Sequence, residues 1–190
     1  MISIKLDVGP PCWLEPELRP FVPVSTHERY GFRLPSIPTM RLEEILGEKI
    51  ARLTRTSTAR DASDLVWAAT TSPHSGFDRD LVRRLAVLKV WVDIHGLRPG
   101  WNPALGPVRF EPDAWLSSRE SWDDEHIGLL AHAPPSVGQL GSDLQNCYSW
   151  LRDLSEEETR WAAADMNDRG DVIEGIQNLD GGALAEAHLW

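Results

Sequence analysis

Apolar and polar residues alternate at the start of the chain, where Ile2, Ile4, Leu6 and Val8 lie two residues apart. This period of two predicts a β-strand with one buried face. Prolines then become frequent and occur at positions 10, 11, 16, 20, 23, 35 and 38. Because proline breaks helices and donates no hydrogen bond to a sheet, this stretch is predicted to form extended edge segments.

The apolar spacing becomes helical after Thr39, which is the predicted N-cap of a first helix. The apolar positions of this helix are Leu42, Ile45, Leu46, Ile50 and Leu53. A polar bridge over residues 54–59 leads to a second helix, with apolar positions at Ala62, Leu65, Val66 and Ala69. Serine and proline at positions 72 and 73 end it.

A third helix is predicted from Asp78 to His95, because apolar residues recur on one face and Gly96 stands where a C-cap glycine belongs. Residues 98–112 contain two glycines and four prolines and are typical of a loop. Residues 115–130 are predicted to form a short helix and a polar connection.

Two further helices are predicted in the last third of the chain. Ser136 is a candidate N-cap for a helix with apolar positions at Leu140, Leu144, Tyr148 and Leu151. Ser155 and Glu158 have the spacing of a capping box, which begins a fifth helix through Trp161 to about residue 178. The predicted fold class is therefore α+β and predominantly α.

Composition and charge restrict the function. The chain has 190 residues, 42% of them hydrophobic and 25% charged, which is ordinary for a globular domain. Its formal charge of −10 disfavours broad nucleic-acid binding, since phosphate backbones would be repelled. A local basic cluster nevertheless stands out, at Lys49, Arg52, Arg55 and Arg60.

Cysteine use and hydropathy favour a cytoplasmic protein. The two cysteines, Cys12 and Cys147, form no C-x-x-C pair, which is typical of a reducing compartment. The first eight residues contain Lys5 and Asp7, whereas a signal peptide needs an unbroken apolar stretch. No segment reaches transmembrane length, so no membrane association is expected.

Two linked motifs carry the most specific signal. Residues 42–53, LEEILGEKIARL, are followed by residues 60–65, RDASDL. The pair, in this order and spacing, resembles the lysine helix and the Arg-Asp helix start of the AbiEii/AbiGii family of nucleotidyltransferase toxins, which belong to type IV toxin–antitoxin systems with a role in phage defence. Residues 4–8 are also similar to the family's late core strand. The resemblance divides the chain into a partial nucleotidyltransferase core at residues 1–72 and a helical region at 73–190.

The resemblance implies roles for individual residues. Lys49 would hold the triphosphate of a nucleoside triphosphate (NTP), with support from Arg52 and Arg60. Asp61 would orient or deprotonate the acceptor hydroxyl, and Asp64 would support the catalytic centre. Asp7 would be a remaining core carboxylate that binds Mg²⁺. The implied reaction transfers a nucleotide from the NTP to an RNA, such as tRNA, or to another acceptor, and a cognate antitoxin is the implied protein partner.

One family motif has no counterpart in this sequence. The family's Gly-Ser turn and Asp-x-Asp strand, which bind the metals, would lie before Met1. Three interpretations follow: the chain is a truncated relative, another polypeptide supplies the missing half, or catalysis has been lost. The alternative function is a non-catalytic helical module that binds a protein partner.

Simpler interpretations accompany each candidate residue. Lys49 would pair with Glu44 or Glu48 on its own helix, and Asp61 would only complement the helix dipole. Asp93 with His95, and the acidic run at residues 123–126, have poor spacing for a metal site. Cys147 has no histidine near it in sequence, which disfavours a nucleophile.

The sequence contains nine tryptophans, and their positions predict two environments. Trp67, Trp91, Trp150 and Trp161 fall on or beside apolar helical stripes and are predicted to be buried. Trp101, Trp115 and Trp122 lie in the loop region. They either form a recognition surface or close over the core.

Overall fold

Helices make up most of the chain that the structure describes. The computed structural model describes residues 12–20, 25–31, 35–53, 58–71, 76–96, 110–117 and 135–179. Of these residues 70% are helical, which confirms the predicted α+β, predominantly α class. The predicted strand at residues 2–8, with Asp7, lies outside these ranges.

The elements follow one another along the described chain in a simple order. They are β1 (Glu17–Pro20), α1 (Ser25–Arg29), β2 (Ser36–Thr39), α2 (Leu42–Arg52), α3 (Ala59–Thr70), α4 (Arg79–His95), α5 (Pro112–Ser117), α6 (Val137–Cys147), α7 (Glu156–Ala163) and α8 (Arg169–Gln177). Two 3₁₀ helices, Ser149–Arg152 and Met166–Asp168, follow α6 and α7. In the described helices, no segment is long and apolar enough to cross a bilayer.

The proline-rich stretch forms a small antiparallel sheet, in which β1 pairs with β2 and Glu17 lies opposite Thr39. Its extended segments were predicted, but helix α1 was not. The prediction that Thr39 is an N-cap is wrong. Thr39 ends β2, and its hydroxyl donates to the Glu17 carbonyl oxygen at 3.0 Å. Helix α2 begins three residues later, after Arg41, which makes no side-chain capping bond.

The predicted caps Gly96 and Ser136 are confirmed, and Asp78, the predicted start of the third helix, also acts as a cap. The Asp78 carboxylate accepts from the backbone N–H groups of Asp80 and Leu81 at the start of α4. Gly96 ends this helix with a φ of 69°, a value that L side chains rarely adopt. Ser136 accepts from the backbone of Gln139 at the start of α6. These bonds satisfy backbone groups that the helix ends would leave unpaired.

Helix α4 lies between two hydrophobic clusters. Its residues Val82, Ala86, Val90 and Ile94 pack with α2, α3, α5 and α6 in the first cluster. Its residues Leu81, Leu85, Leu88 and Trp91 pack with Trp13, Leu14, α7 and α8 in the second. Helix α2 approaches α4 closely at Gly47, where an added Cβ would lie 2.8 Å from the Cβ of Leu85. This approach fixes the helix that carries Lys49.

The stripe predicted for the fourth helix is confirmed, since Leu140, Leu144, Tyr148 and Leu151 are all buried. The Tyr148 hydroxyl donates to the Leu65 carbonyl oxygen at 2.9 Å. Burial raises the pKa of Tyr148 well above its ordinary value. This hydroxyl therefore stays neutral and ties α6 to α3.

The fifth helix was predicted as continuous, and this is wrong. The capping box of Ser155 and Glu158 does begin α7. At Ala164 the backbone becomes extended, and the Ala164 carbonyl accepts a hydrogen bond from the Trp91 indole at 2.9 Å. Asp165 then caps a new turn by accepting from the Asn167 N–H. A bond from α4 and a local cap thus divide the predicted helix into two.

Tryptophan burial agrees with the prediction only in part. Trp91, Trp150 and Trp161 are buried, as predicted. The prediction for Trp67 is wrong, because 53% of it is exposed. Trp115 is buried in the first cluster and stacks edge-on against Phe110, so it forms no recognition surface. Trp101 and Trp122 lie outside the described residues.

Candidate functional site

Lys49, Asp61 and Asp64 meet where the C-terminal half of α2 faces the start of α3. The Lys49 ammonium donates to Asp61 Oδ1 at 3.0 Å and to Asp64 Oδ2 at 2.7 Å. The two aspartates are three residues apart and therefore neighbours on one turn of α3. The structure thus brings the three predicted catalytic residues together as one ionic triad.

Thr58 holds Asp61 within the triad. Its hydroxyl caps α3 by accepting from the Asp61 N–H at 3.1 Å. The same hydroxyl donates to Asp61 Oδ2 at 2.8 Å. Both carboxylate oxygens of Asp61 are therefore engaged, one by Thr58 and one by Lys49. The Asp61 side chain is 13% exposed, whereas that of Asp64 is 47% exposed.

The pairing keeps Lys49 and Asp61 charged. Burial alone would raise the pKa of Asp61, but hydrogen bonds from Lys49 and Thr58 and the charges of Lys49 and Arg52 outweigh burial and lower this pKa. Burial alone would lower the pKa of Lys49, but hydrogen bonds to Asp64 and Asp61 and the charges of both outweigh it and raise this pKa. At neutral pH the triad therefore holds one cation and at least one anion.

These shifts predict how stability depends on pH. Because the pKa of Asp61 is lower in the folded protein, its ionised form stabilises the fold above the ordinary value of 3.8. This contribution is lost as the pH falls through the lowered pKa. We therefore expect Asp61→Asn to reduce the free energy of unfolding near pH 7 and to reduce it progressively less below about pH 4. Urea unfolding of both proteins between pH 3 and pH 8 measures this difference.

The matched control for this experiment is Asp113→Asn, because Asp113 forms an exposed ion pair with Arg152. Exposed pairs contribute little to stability, so this substitution should change the free energy of unfolding by less than about 1 kcal/mol. An effect of Asp61→Asn that stays the same between pH 3 and pH 8 would contradict the assigned ion pair.

Arg52 and Arg60 flank the triad, but neither binds a carboxylate within it. Arg52 lies in the last turn of α2, half exposed, 3.9 Å from Glu48 Oε1. Arg60 lies in the first turn of α3 with an exposed side chain. Both guanidinium groups are thus near the triad and open to solvent.

The simpler interpretation of Lys49, a pair with Glu44 or Glu48, is wrong. Both glutamates contact Lys89 of α4 instead, with Nζ 3.2 Å from Glu44 Oε1 and 3.5 Å from Glu48 Oε2. Glu44 is 1% exposed and also accepts from the backbone N–H groups of Trp13 and Leu14, at 2.7 and 3.0 Å. We call Glu44, Glu48 and Lys89 the ionic hub, of which Glu44 is the fully buried member.

This hub was not predicted from the sequence. The Lys89 ammonium also lies 4.2 Å from the centre of the Trp13 ring, so it binds the N-terminal segment and α2 at once. One signal was present: Lys89 interrupts an otherwise apolar run at residues 85–92, LAVLKVWV. A lysine inside such a run needs a buried partner. Its partner lies 45 residues away, which no local pattern reveals.

Metal ligands are sparse in the described chain. It contains no group of three or more His, Cys, Asp or Glu residues that could hold a metal ion. Asp61 and Asp64 are two carboxylates, which suits a magnesium ion that arrives with substrate phosphates. His95 packs on Trp91 with ring centres 4.8 Å apart, and burial lowers its pKa. The acidic run at residues 123–126 lies outside the described ranges.

Comparison with known proteins points to one family. The family model described as "Nucleotidyl transferase AbiEii toxin, Type IV TA system" matches residues 1–163. The fold is similar to that of MenT4, a nucleotidyltransferase toxin from Mycobacterium tuberculosis H37Rv, with a TM-score of 0.72 and 34% sequence identity. The match covers 89% of this chain and 55% of the MenT4 chain, so the chain spans about half the length of that relative. No curated protein matches.

Proposed function

Because this chain belongs to the AbiEii family of nucleotidyltransferase toxins, we propose that it transfers a nucleotide from an NTP to an RNA acceptor such as tRNA. The reaction centre of this proposal consists of Lys49, Asp61 and Asp64, with Arg52 and Arg60 at its edge. The toxin acts in the cytoplasm, and a cognate antitoxin is its protein partner. In this proposal the reactive side chains lie within residues 1–72, and the described helices α4 and α6 of the helical region 73–190 pack on the two helices that carry Lys49 and the aspartates.

The observation that carries this proposal is the contact between the two motif helices. Lys49 comes from the lysine motif, and both aspartates come from the Arg-Asp motif, 12 and 15 residues later. An ammonium group has three N–H donors. Two of these bind Asp61 and Asp64, which leaves one for a phosphate oxygen. Lys49 is 22% exposed, so a ligand can reach it.

The charges of these side chains favour a reaction that uses a divalent cation. Lys49, Asp61 and Asp64 together carry a formal charge of −1, which alone would repel a triphosphate. Arg52 and Arg60 supply two positive charges beside it. Bound magnesium would neutralise phosphate charge. Nucleotidyl transfer depends mainly on positioning and charge neutralisation, and these side chains can provide both.

The two aspartates differ in what they can do. Both oxygens of Asp61 are engaged by Lys49 and Thr58, so we propose that Asp61 orients Lys49. Asp64 engages Lys49 through Oδ2 and is nearly half exposed. A proton acceptor must reach the hydroxyl that it activates. Exposure therefore favours Asp64, rather than the predicted Asp61, as the group that orients or deprotonates the acceptor.

The test is a transfer assay with the purified chain. Each of the four NTPs, labelled at the α-phosphate, is incubated with magnesium and total tRNA, and the RNA is then separated by size. We expect one or more labelled NTPs to label the RNA, and Asp64→Asn to reduce the rate more than Asp61→Asn. The absence of labelling with every NTP and with both tRNA and total RNA would overturn the proposed function.

One observation favours the alternative of a protein-binding module. Leu18 on β1 and Ile37 on β2 are exposed, and so is Tyr30, which follows α1 in the segment between the two strands. Exposed apolar residues around a small sheet suit contact with a protein partner. The same assay separates the two functions, because a module without catalysis would bind an antitoxin and label no RNA.

A further inference from the structure

The outward face of α3 presents three side chains in one row. Arg60, Asp64 and Trp67 are separated by four and three residues, a spacing that places them on the same face of a helix. The row begins with a cation, continues with a carboxylate of the triad and ends with an indole. The buried residues Ala62 and Leu65 occupy the opposite side of α3.

Trp67 is exposed where a buried tryptophan would be expected. It is 53% exposed, although neighbouring residues of the same helix pack in the first cluster. Long side chains in helices lean towards the preceding turn, which for Trp67 contains Asp64. Residues three apart on a helix have Cβ atoms about 5–6 Å apart, so the Trp67 side chain starts beside that of the carboxylate that binds Lys49.

We propose that Trp67 is the stacking platform for a nucleobase at this site. This inference rests on the proposed function. With phosphate at Lys49, a base held one helical turn away is connected to it by a ribose. Aromatic side chains bind bases of any sequence, because every base has a π-face. Arg60, at the other end of the row, supplies a cation that attracts a phosphate.

The base belongs either to the NTP or to the acceptor RNA, and both sources share this chemistry. We test them with the full chain in two binding experiments. Calorimetry with each NTP and magnesium tests the first source, and fluorescence anisotropy with a labelled single-stranded RNA tests the second. The variants are Trp67→Ala and Trp67→Phe. Met166→Ala is the control, since Met166 is half exposed but lies in the 3₁₀ helix after α7.

We expect Trp67→Ala to weaken binding of one of the two ligands by about 5- to 100-fold, the range that loss of one base stack produces. Trp67→Phe should retain most of the affinity, because a smaller aromatic ring still stacks. Met166→Ala should bind like the unchanged protein. Circular dichroism and thermal unfolding check that all three variants fold.

Two outcomes overturn the inference. In the first, Trp67→Ala binds every NTP and the RNA as tightly as the unchanged protein does. In the second, the unchanged protein binds neither ligand. These results are distinguishable from failure of the proposed function. If base binding depends on Trp67 but no nucleotide is transferred, the proposed reaction is overturned and the stacking role of Trp67 stands. If nucleotide transfer occurs and is unaffected by substitution of Trp67, only the stacking role is overturned.

Discussion

Replacing Lys49 with methionine should lower the rate of nucleotide transfer by at least about 100-fold, the loss typical when one charged or hydrogen-bonding group that stabilises a transition state is removed. Methionine keeps the apolar stem of the side chain but removes the ammonium that contacts Asp61 and Asp64. Two carboxylates would then remain without their cation and would repel the triphosphate. Initial rates with labelled NTP and tRNA measure the effect.

Arg152→Met is the matched control. Arg152 pairs with Asp113 in an exposed ion pair on a different part of the chain, so its loss removes one positive charge without touching the triad. Its rate should equal that of the unchanged protein. Transfer that continues at the normal rate in Lys49→Met would remove Lys49 from the proposed centre, even if the family assignment stands.

The largest loss of stability is expected at Glu44. Glu44→Ala would leave the N–H groups of Trp13 and Leu14 without an acceptor and would take from Lys89 its shorter ionic contact. Removing one partner of a buried ion pair costs about 3–5 kcal/mol. We expect the free energy of unfolding, measured by urea denaturation, to fall by about this amount.

A double-mutant cycle tests whether Lys89 shares this energy. Lys89→Met alone leaves the Glu44 carboxylate buried beside two backbone donors, and the pair of substitutions leaves no buried charge at that contact. Residues in direct contact show coupling energies of about 0.5–3 kcal/mol. Strictly additive losses for Glu44→Ala and Lys89→Met would show that the contact contributes nothing to the fold.

Local patterns explain which parts of the fold the sequence predicts well. Asp78, Gly96 and the Ser155 capping box interact with residues at most four positions away, so spacing alone identifies them. The break at Ala164 depends instead on a hydrogen bond from Trp91, 73 residues earlier. Such a contact leaves no trace in the periodicity of the segment itself.

Trp67 shows how finely helical phase decides burial. Two positions separate it from buried Leu65, which corresponds to about 200° around a helix of 3.6 residues per turn. Its apolar neighbours in sequence suggested a core residue, whereas its angular position directs it outwards. The angular position of Trp67 around the helix predicts its exposure, whereas the apolar residues next to it in sequence do not.

The candidate site was predictable only through the family resemblance. Lys49 and Asp64 are 15 residues apart on different helices, beyond the reach of any local rule for ion pairs. The paired motifs identified the residues, and the structure describes the contact between them. Their chemical roles remain predictions, because no residue pattern distinguishes a catalytic triad from a structural one.

Helix α4 is common to both hydrophobic clusters, and this arrangement affects how the molecule melts. Unfolding of either cluster would expose one side of α4 to water, which weakens the packing on its other side. The two hydrophobic clusters should consequently unfold in one cooperative step. Substitutions around Trp161 or Val172, both in the cluster that does not contain α3, can thereby loosen the pairing of Lys49 from a distance.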